Sequence, residues 1–119
     1  MAELIIEKPK NQKIVYVAGP YTKGDVALNV RNAVQTGMVI ADRGHYPVIP
    51  HLTHFMHLMF PKGYDYWITL DNIIIPKCDA LIQLPGKSKG ADKEALLAIN
   101  YGLQVFIDLR RLIAWLEDD

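Results

Sequence analysis

The chain has 119 residues, half of them apolar, and its 13 basic and 13 acidic side chains leave no formal net charge. This is enough for one domain with a real core, and the balanced charge argues against binding to a nucleic acid polymer. One cysteine, no apolar run near the roughly 20 residues of a membrane span and no secretion pattern lead us to expect a soluble cytoplasmic protein without a membrane partner.

The first predicted elements are a lead-in, a strand and a helix. Residues 1–12 form a flexible or peripheral lead-in, and the β-branched run KIVYVAGP, residues 13–20, predicts a buried strand that ends in a turn. Apolar residues recur at helical spacing from Asn29, and Gly44 predicts the end of that helix. The segment HYPVIPH, residues 45–51, predicts a short strand, which its internal proline makes an edge or irregular strand.

The second half continues the alternation of helices and strands. The pattern predicts a helix from Trp67 to Pro76, a strand within 78–86, a helix over 94–101, a strand over 104–107 and an amphipathic helix over 109–119. Strands that alternate with helices indicate right-handed crossovers and a parallel sheet covered on both faces. We therefore expect a single α/β domain that spans residues 1–119.

Three loops are expected to meet at one edge of this sheet, because ligands of open parallel sheets bind outside the carboxyl ends of the strands. They are AGPYTKGD at 18–25, PHLTH at 50–54 and PGKSKGADKE at 85–94. The first could hold an anion on its backbone amides or be a plain structural turn, and it matches neither the dinucleotide fingerprint nor a P-loop. Four of its residues are predicted to bind substrate: Gly19, Pro20, Tyr21 and Lys23.

Three histidines follow the second predicted strand, at positions 51, 54 and 57. On a helix, steps of three residues rotate side chains steadily apart, and no carboxylate stands at a compact ligand spacing. We therefore expect neither a metal site nor a cofactor. His51, directly after the strand, is the histidine that we expect to contact a substrate.

Two carboxylates could carry chemistry. Asp71 lies near the apolar face of its predicted helix, either in a polar cleft or on a solvated flank, and the solvated alternative is slightly favoured. A helix that begins near Gly90 or Ala91 would put Glu94 in its first turn, where free amides keep a carboxylate ionised, as a nucleophile requires. The alternative is that Glu94 and Asp92 are ordinary capping residues.

The order of four motifs, VYVAGPY, PH, WITLDNIIIPKCDALIQLPG and SKGADKEALLAINYG, resembles the nucleoside 2-deoxyribosyltransferase-like superfamily. The likeness runs from about Lys13 to Phe106. It is strongest to a branch of small proteins that carry AGP, CDA, LPG and SKGAD before a glutamate, related to the 2'-deoxynucleoside 5'-monophosphate N-hydrolases. The resemblance implies a flavodoxin-like or Rossmann-like parallel sheet of four to five strands flanked by helices. It also implies cleavage of the N-glycosidic bond of deoxynucleosides or their 5'-monophosphates.

The resemblance further implies roles for individual residues. Glu94 matches the nucleophile of the family, and Asp71 matches a helix aspartate that contacts the sugar or helps to protonate the leaving base. Tyr16 matches a tyrosine that steers the nucleophile, and His51 matches a histidine after the second strand. Ser88 matches a serine that contacts phosphate in the monophosphate-cleaving members.

The remaining expectations concern substrate, mechanism and assembly. Gly90 and Asp92 complete the predicted substrate-binding loop, whose lysines mildly favour an anionic nucleotide over a neutral nucleoside. Glu94 would form a glycosyl ester that water or another base resolves, with Asp71 held in the opposite protonation state. The alternatives are a non-catalytic nucleotide-binding module and a glycohydrolase of a larger nucleotide such as NAD. The apolar tail and an exposed Trp115 predict a homo-oligomer.

Overall fold

A sheet of four parallel strands forms the centre of the structure, a computed structural model in which residues 8–118 are described. The strands are β1 (Ile14–Ala18), β2 (Tyr46–Val48), β3 (Ala80–Gln83) and β4 (Gln104–Phe106). Their order in the sheet is β2-β1-β3-β4, so the chain changes direction across the sheet between β1 and β3. This is the flavodoxin-like order, which confirms the predicted parallel α/β fold. β2 lies at an edge, as its proline predicts.

Helices connect and cover the strands. They are α1 (Val26–Asp42), α2 (Thr53–Met59), α3 (Tyr64–Ile74), α4 (Lys89–Asn100) and α5 (Leu109–Glu117), with 3₁₀ turns at Pro50–Leu52 and Ile75–Lys77. Side chains cap three of the helices at their N-termini: Asp25 accepts from the amide of Leu28, Ser88 from that of Ala91 and Asp108 from that of Arg110. Such caps satisfy amides that have no partner inside the helix, and they fix where each helix begins.

The alternation of side chains along the strands builds a core on each face of the sheet. On one face, Val15 and Val17 pack with residues of α1 and α5. On the other face, Tyr16 and Ala18 pack with residues of α4 and of the turn after α3. All four side chains are fully buried. Both faces are therefore covered, as expected for a parallel sheet.

Three predicted helix starts are wrong, and one helix was not predicted. α3 begins at Tyr64, three residues before the predicted Trp67. α4 begins at Lys89 because Ser88 caps it, so Glu94 lies in the second turn rather than the first. α1 begins at Val26, three residues before the predicted Asn29, because Asp25 is its cap. The unpredicted helix is α2, which has no side-chain cap at its start.

The C-terminal helix does not expose the predicted aromatic patch. Leu112 and Leu116 of α5 are buried, and Trp115 is half-buried against Phe106, with the ring centroids 5.6 Å apart. The expectation that Trp115 stands exposed is therefore wrong, because the amphipathic face of α5 packs inward. Large exposed apolar side chains concentrate instead on α2, α3 and the loop between them: Phe55, Met56, Leu58, Met59, Phe60, Tyr64, Tyr66, Leu70 and Ile73.

Residues 1–7 of the predicted lead-in lie outside the described residues, and residues 8–12 form neither helix nor strand. Within residues 8–118, no helix has the length and apolar character needed to cross a membrane.

Candidate functional site

A cavity of about 640 Å³ opens beside the carboxyl ends of β1 and β3, where the strand order changes direction. This is the position at which doubly wound sheets bind ligands. The cavity is lined by four segments: the β1–α1 loop, the region from Pro50 through α2, the inner face of α3 and the first turns of α4. Of the residues predicted to form the site, the structure brings these to the wall: Gly19, Tyr21, Lys23, His51, Asp71, Ser88, Gly90 and Glu94.

A buried hydrogen bond joins the sheet to α4 at this cavity. Tyr16, from the middle of β1, is fully buried, and its hydroxyl donates to Oε2 of Glu94. Burial and the nearby carboxylates of Glu94 and Asp71 raise the pKa of Tyr16 far above its ordinary value, so the phenol keeps its proton. Glu94 is 9% exposed and lines the cavity, and its Oε1 receives no hydrogen bond from the described residues. Tyr16 therefore holds Oε2 of Glu94, and Oε1 is available to a ligand in the cavity.

The protonation of Glu94 differs from the sequence-based expectation. Burial raises the pKa of Glu94 from 4.5 to about 7; the Asp71 charge raises it further, while the hydrogen bond from Tyr16 lowers it. The expectation that helix amides keep this carboxylate ionised is wrong, because Glu94 lies in the second turn of α4, on its buried side. The free amides of the first turn are therefore not available to it.

Asp71 is the second carboxylate of the cavity. It is half-buried and lines the wall, so the polar-cleft alternative holds and the solvated-flank alternative is wrong. Burial raises the pKa of Asp71 from 3.8 to about 6, and the influence of the Tyr16 hydroxyl opposes that rise. Both acids thus have raised pKa values and titrate as a coupled pair, which holds one proton between the two carboxyl groups over an intermediate pH range.

His51 stands at the start of the 3₁₀ turn after β2, and it is 5% exposed. Its Nε2 lies 3.0 Å from the carbonyl oxygen of Pro20, and burial lowers the pKa of the ring. A neutral ring that donates from Nε2 leaves Nδ1 as an acceptor, and this atom is buried without a partner among the described residues. Pro20 thus contributes its carbonyl to the position of His51, although its side chain does not line the cavity.

The β1–α1 loop is held from two sides. Asn29 of α1 donates from Nδ2 to the carbonyl oxygens of Tyr21 and Lys23, each at 2.8 Å. The hydroxyl of Tyr21 is hydrogen-bonded to Nδ1 of His54 on α2. The loop is thereby fixed over the cavity with the Lys23 side chain on its wall.

The start of α4 approaches α3 closely at Gly90. A Cβ atom at Gly90 would lie 2.9 Å from the hydroxyl oxygen of Tyr64, so a larger residue here would require the exposed Tyr64 side chain to shift. Asp92, two residues later, is exposed and does not line the cavity; its Oδ1 accepts a hydrogen bond from Nε2 of Gln83 at 2.7 Å. The geometry thus gives Asp92 a contact with β3 in place of the predicted contact with substrate.

The lining residues that the sequence did not single out as substrate contacts include four with aromatic side chains: His54, His57, Tyr64 and Trp67. Without α2, His54 and His57 had no predicted element to place them. Within the part of the chain that the structure describes, no three or more His, Cys, Asp or Glu residues are grouped to hold a metal ion. The sequence could nevertheless have identified Trp67, because this residue precedes Asp71 by one helical turn and lies on the same face of the helix.

The fold resembles that of a solved structure described as a 2-desoxiribosyltransferase from Leishmania mexicana. The TM-score is 0.58 at 22% sequence identity, and the match covers 78% of this chain and 61% of that chain. The chain therefore spans about three fifths of the length of that protein. A search of curated proteins found no match. The likeness agrees, at the level of fold, with the resemblance noted in the sequence.

A protein-family model matches residues 13–107, which is most of the chain and includes all three site loops. On that match, the chain belongs to the family described as Domain of unknown function (DUF7768).

Proposed function

We propose that the protein cleaves the N-glycosidic bond of a deoxynucleoside or a (deoxy)nucleoside 5'-monophosphate and passes the sugar from Glu94 to water or another base. The observation that carries the proposal is the buried hydrogen bond from Tyr16 to Glu94 at a cavity that Asp71 also lines. Two carboxyl groups beside a cavity are the minimal equipment for glycosidic cleavage with retention. The likeness to a 2-desoxiribosyltransferase supports the same reaction class at the level of fold.

In the first step, Glu94 is the nucleophile. Tyr16 holds Oε2, and Oε1 attacks the anomeric carbon as the bond between that carbon and the base nitrogen breaks. The electron pair of the broken bond goes to the base, and the positive charge that develops on the sugar is stabilised by the carboxylate before the glycosyl ester forms.

Asp71 supplies and recovers the proton. The raised pKa values let Glu94 and Asp71 share one proton near neutral pH, and in the reactive form this proton is on Asp71, which donates it to the departing base. In the second step, the ionised Asp71 takes a proton from water as the water oxygen attacks the anomeric carbon, which releases the sugar and Glu94. A second base attacking at the same carbon gives base exchange.

The dimensions and chemistry of the cavity support a ligand of nucleoside size. Its volume of about 640 Å³ lies within the usual range for small-molecule sites. The rings of Tyr64 and Trp67 offer surfaces for a flat base, whereas Lys23, Ser88 and Lys89 offer polar groups that suit a 5'-phosphate. These polar groups favour a monophosphate within the proposed substrate class.

The test is base release from a panel of deoxynucleosides, their 5'-monophosphates and NAD, followed by chromatography. Glu94→Ala should abolish release, while Glu117→Ala, which removes an exposed carboxylate of α5, should leave it unchanged. Unchanged release by Glu94→Ala would overturn the assigned role. Binding without any release by the intact protein would identify a nucleotide-binding module, and release from NAD alone would identify a glycohydrolase of larger nucleotides.

The setting proposed for this activity is a cytoplasmic homo-oligomer of the small SKGAD-bearing branch. Cys78 is buried, its thiol donates to the carbonyl of Ile74, and burial raises its pKa to about 11, so it behaves as a core residue in a reducing compartment. The exposed apolar side chains of α2 and α3, rather than those of the C-terminal helix, support the proposed assembly. Sedimentation that finds only monomers at all concentrations would contradict assembly.

A further inference from the structure

His57 of α2 has one ring nitrogen fully occupied by the protein. Its Nδ1 lies 3.0 Å from Nε1 of Trp67 and 3.1 Å from the backbone nitrogen of Lys62. Indole and backbone N–H groups can only donate, so Nδ1 accepts both hydrogen bonds and carries no proton. The proton of the neutral ring is therefore on Nε2.

The Nε2–H group of His57 makes no hydrogen bond with the described residues, although the side chain is half-buried and lines the cavity. The other two cavity histidines differ from it. The Nε2 of His51 is hydrogen-bonded to Pro20, and the Nδ1 of His54 faces the hydroxyl of Tyr21, which can donate or accept and so does not set the tautomer of His54. His57 thus presents a donor whose tautomer is set by two contacts with the protein fold.

The position of His57 relative to the two carboxyl groups identifies the part of the ligand that it can reach. Trp67, to which its ring is bonded, precedes Asp71 by four residues on the same face of α3, an axial separation of about 6 Å. The indole and imidazole rings form an edge-to-face pair with centroids 5.9 Å apart. His57 therefore lies beside Trp67 in an aromatic wall of the cavity that Asp71 and Glu94 also line, and such a wall suits a planar nucleobase.

We infer that His57 is a specificity-determining residue, which donates from Nε2–H to an acceptor atom on the edge of the base. The inference rests on the proposed function, which supplies the base. A base with an acceptor at that position satisfies the donor, whereas a base with a donor or a carbon there leaves the N–H unpaired in a half-buried wall, which is costly. Discrimination of this kind comes from the unmatched partner as much as from the matched one.

The experiment compares two substitutions that separate the two ring nitrogens. His57→Asn keeps an acceptor for Trp67 and Lys62 at the place of Nδ1 and leaves no donor at the place of Nε2, whereas His57→Gln keeps a donor near the place of Nε2. In the deoxynucleoside and monophosphate panel, we expect His57→Asn to lower kcat/KM for the preferred base about tenfold and to leave the poorest base unchanged. We expect His57→Gln to recover part of that preference. Equal losses for all bases, or no loss for any, would overturn the inference.

A second measurement does not depend on turnover. Long-range ¹H–¹⁵N correlation spectra of the free protein should show the His57 proton on Nε2, and a proton on Nδ1 would overturn the inference directly. The two proposals can fail separately: if no nucleoside is bound or cleaved, the proposed function is wrong, and the inference about the base falls with it. If nucleosides are cleaved with the same base preference by His57→Asn, only the role of His57 is wrong.

Discussion

The two faces of the sheet are built from the same strands but differ in chemistry. On the face of α1 and α5, β1 contributes Val15 and Val17 to a cluster of buried residues that is wholly apolar. On the opposite face, the same strand contributes Tyr16, whose hydroxyl reaches Glu94 beside Asp71. The period-2 alternation of a strand thus lets one element serve a core and a site together. The apolar face stabilises the fold, and the polar face carries buried acids that cost stability.

The largest effect on stability is expected on the apolar face. Ile82→Ala removes a side chain that is 2% exposed in the core beneath α1 and α5, and it should lower the free energy of unfolding by about 2–5 kcal/mol. Ile99→Ala, at an α4 side chain that is 56% exposed, is the matched control and should change it by less than about 0.5 kcal/mol. Denaturant titration measures both. Similar losses for the two variants would mean that this face does not carry the core.

On the polar face, the substitution Glu94→Gln should instead raise the free energy of unfolding. Because burial raises the pKa of Glu94 in the folded state from 4.5 to about 7, stability that is fully present below about pH 4.5 is lost as the pH rises through about 7. The loss is on the order of 3 kcal/mol, so Glu94→Gln should stabilise the protein by up to about that amount at pH 8 and hardly at pH 4.

The measurement for Glu94→Gln is the free energy of unfolding as a function of pH. Glu117→Gln, which neutralises an exposed carboxylate of α5, should reproduce the wild-type pH slope. A Glu94→Gln protein with the same slope between pH 4.5 and 7 would contradict the raised pKa.

Tyr16→Phe should have a smaller effect than Glu94→Gln. We expect it to lower turnover and to shift the pH dependence of kcat/KM. Loss of the hydroxyl removes the interaction that lowers the pKa of Glu94, so the acid limb of the kcat/KM profile should move to higher pH. Turnover at neutral pH should fall by roughly 10- to 100-fold, since fewer molecules carry an ionised and correctly held nucleophile. Tyr46→Phe, at a 67% exposed tyrosine of β2, is the control. An unmoved acid limb would show that Tyr16 does not act through Glu94.

The fold followed from local signals in the sequence. The alternation of predicted strands and helices was sufficient for the parallel sheet, and the proline of β2 was sufficient for its edge position. Asp25 and Ser88 are capping residues that could have set the starts of α1 and α4, and overlooking Ser88 put Glu94 in the wrong turn. By contrast, α2 starts at Thr53, and the residue before it, Leu52, provides no side-chain cap, so no capping residue in the sequence predicts this helix.

The electrostatics of the site did not follow from local signals. The partner of Glu94 is Tyr16, which lies 78 residues away in sequence, and the raised pKa of Glu94 depends on burial by the assembled sheet and α4. The same applies to His57, whose tautomer is set by Trp67, ten residues later. Such long-range contacts exist only in the folded chain, so spacing along the sequence cannot reveal them.

The central claim is that Glu94 carries the sugar between the two half-reactions. Its most direct test is mass spectrometry of the proteolytic peptide that contains Glu94, from protein quenched in acid during turnover of the substrate that the panel identifies. The account predicts a peptide heavier by one glycosyl group, with the modification on Glu94, which disappears once the substrate is exhausted. Turnover with the Glu94 peptide unmodified at every time point would contradict it.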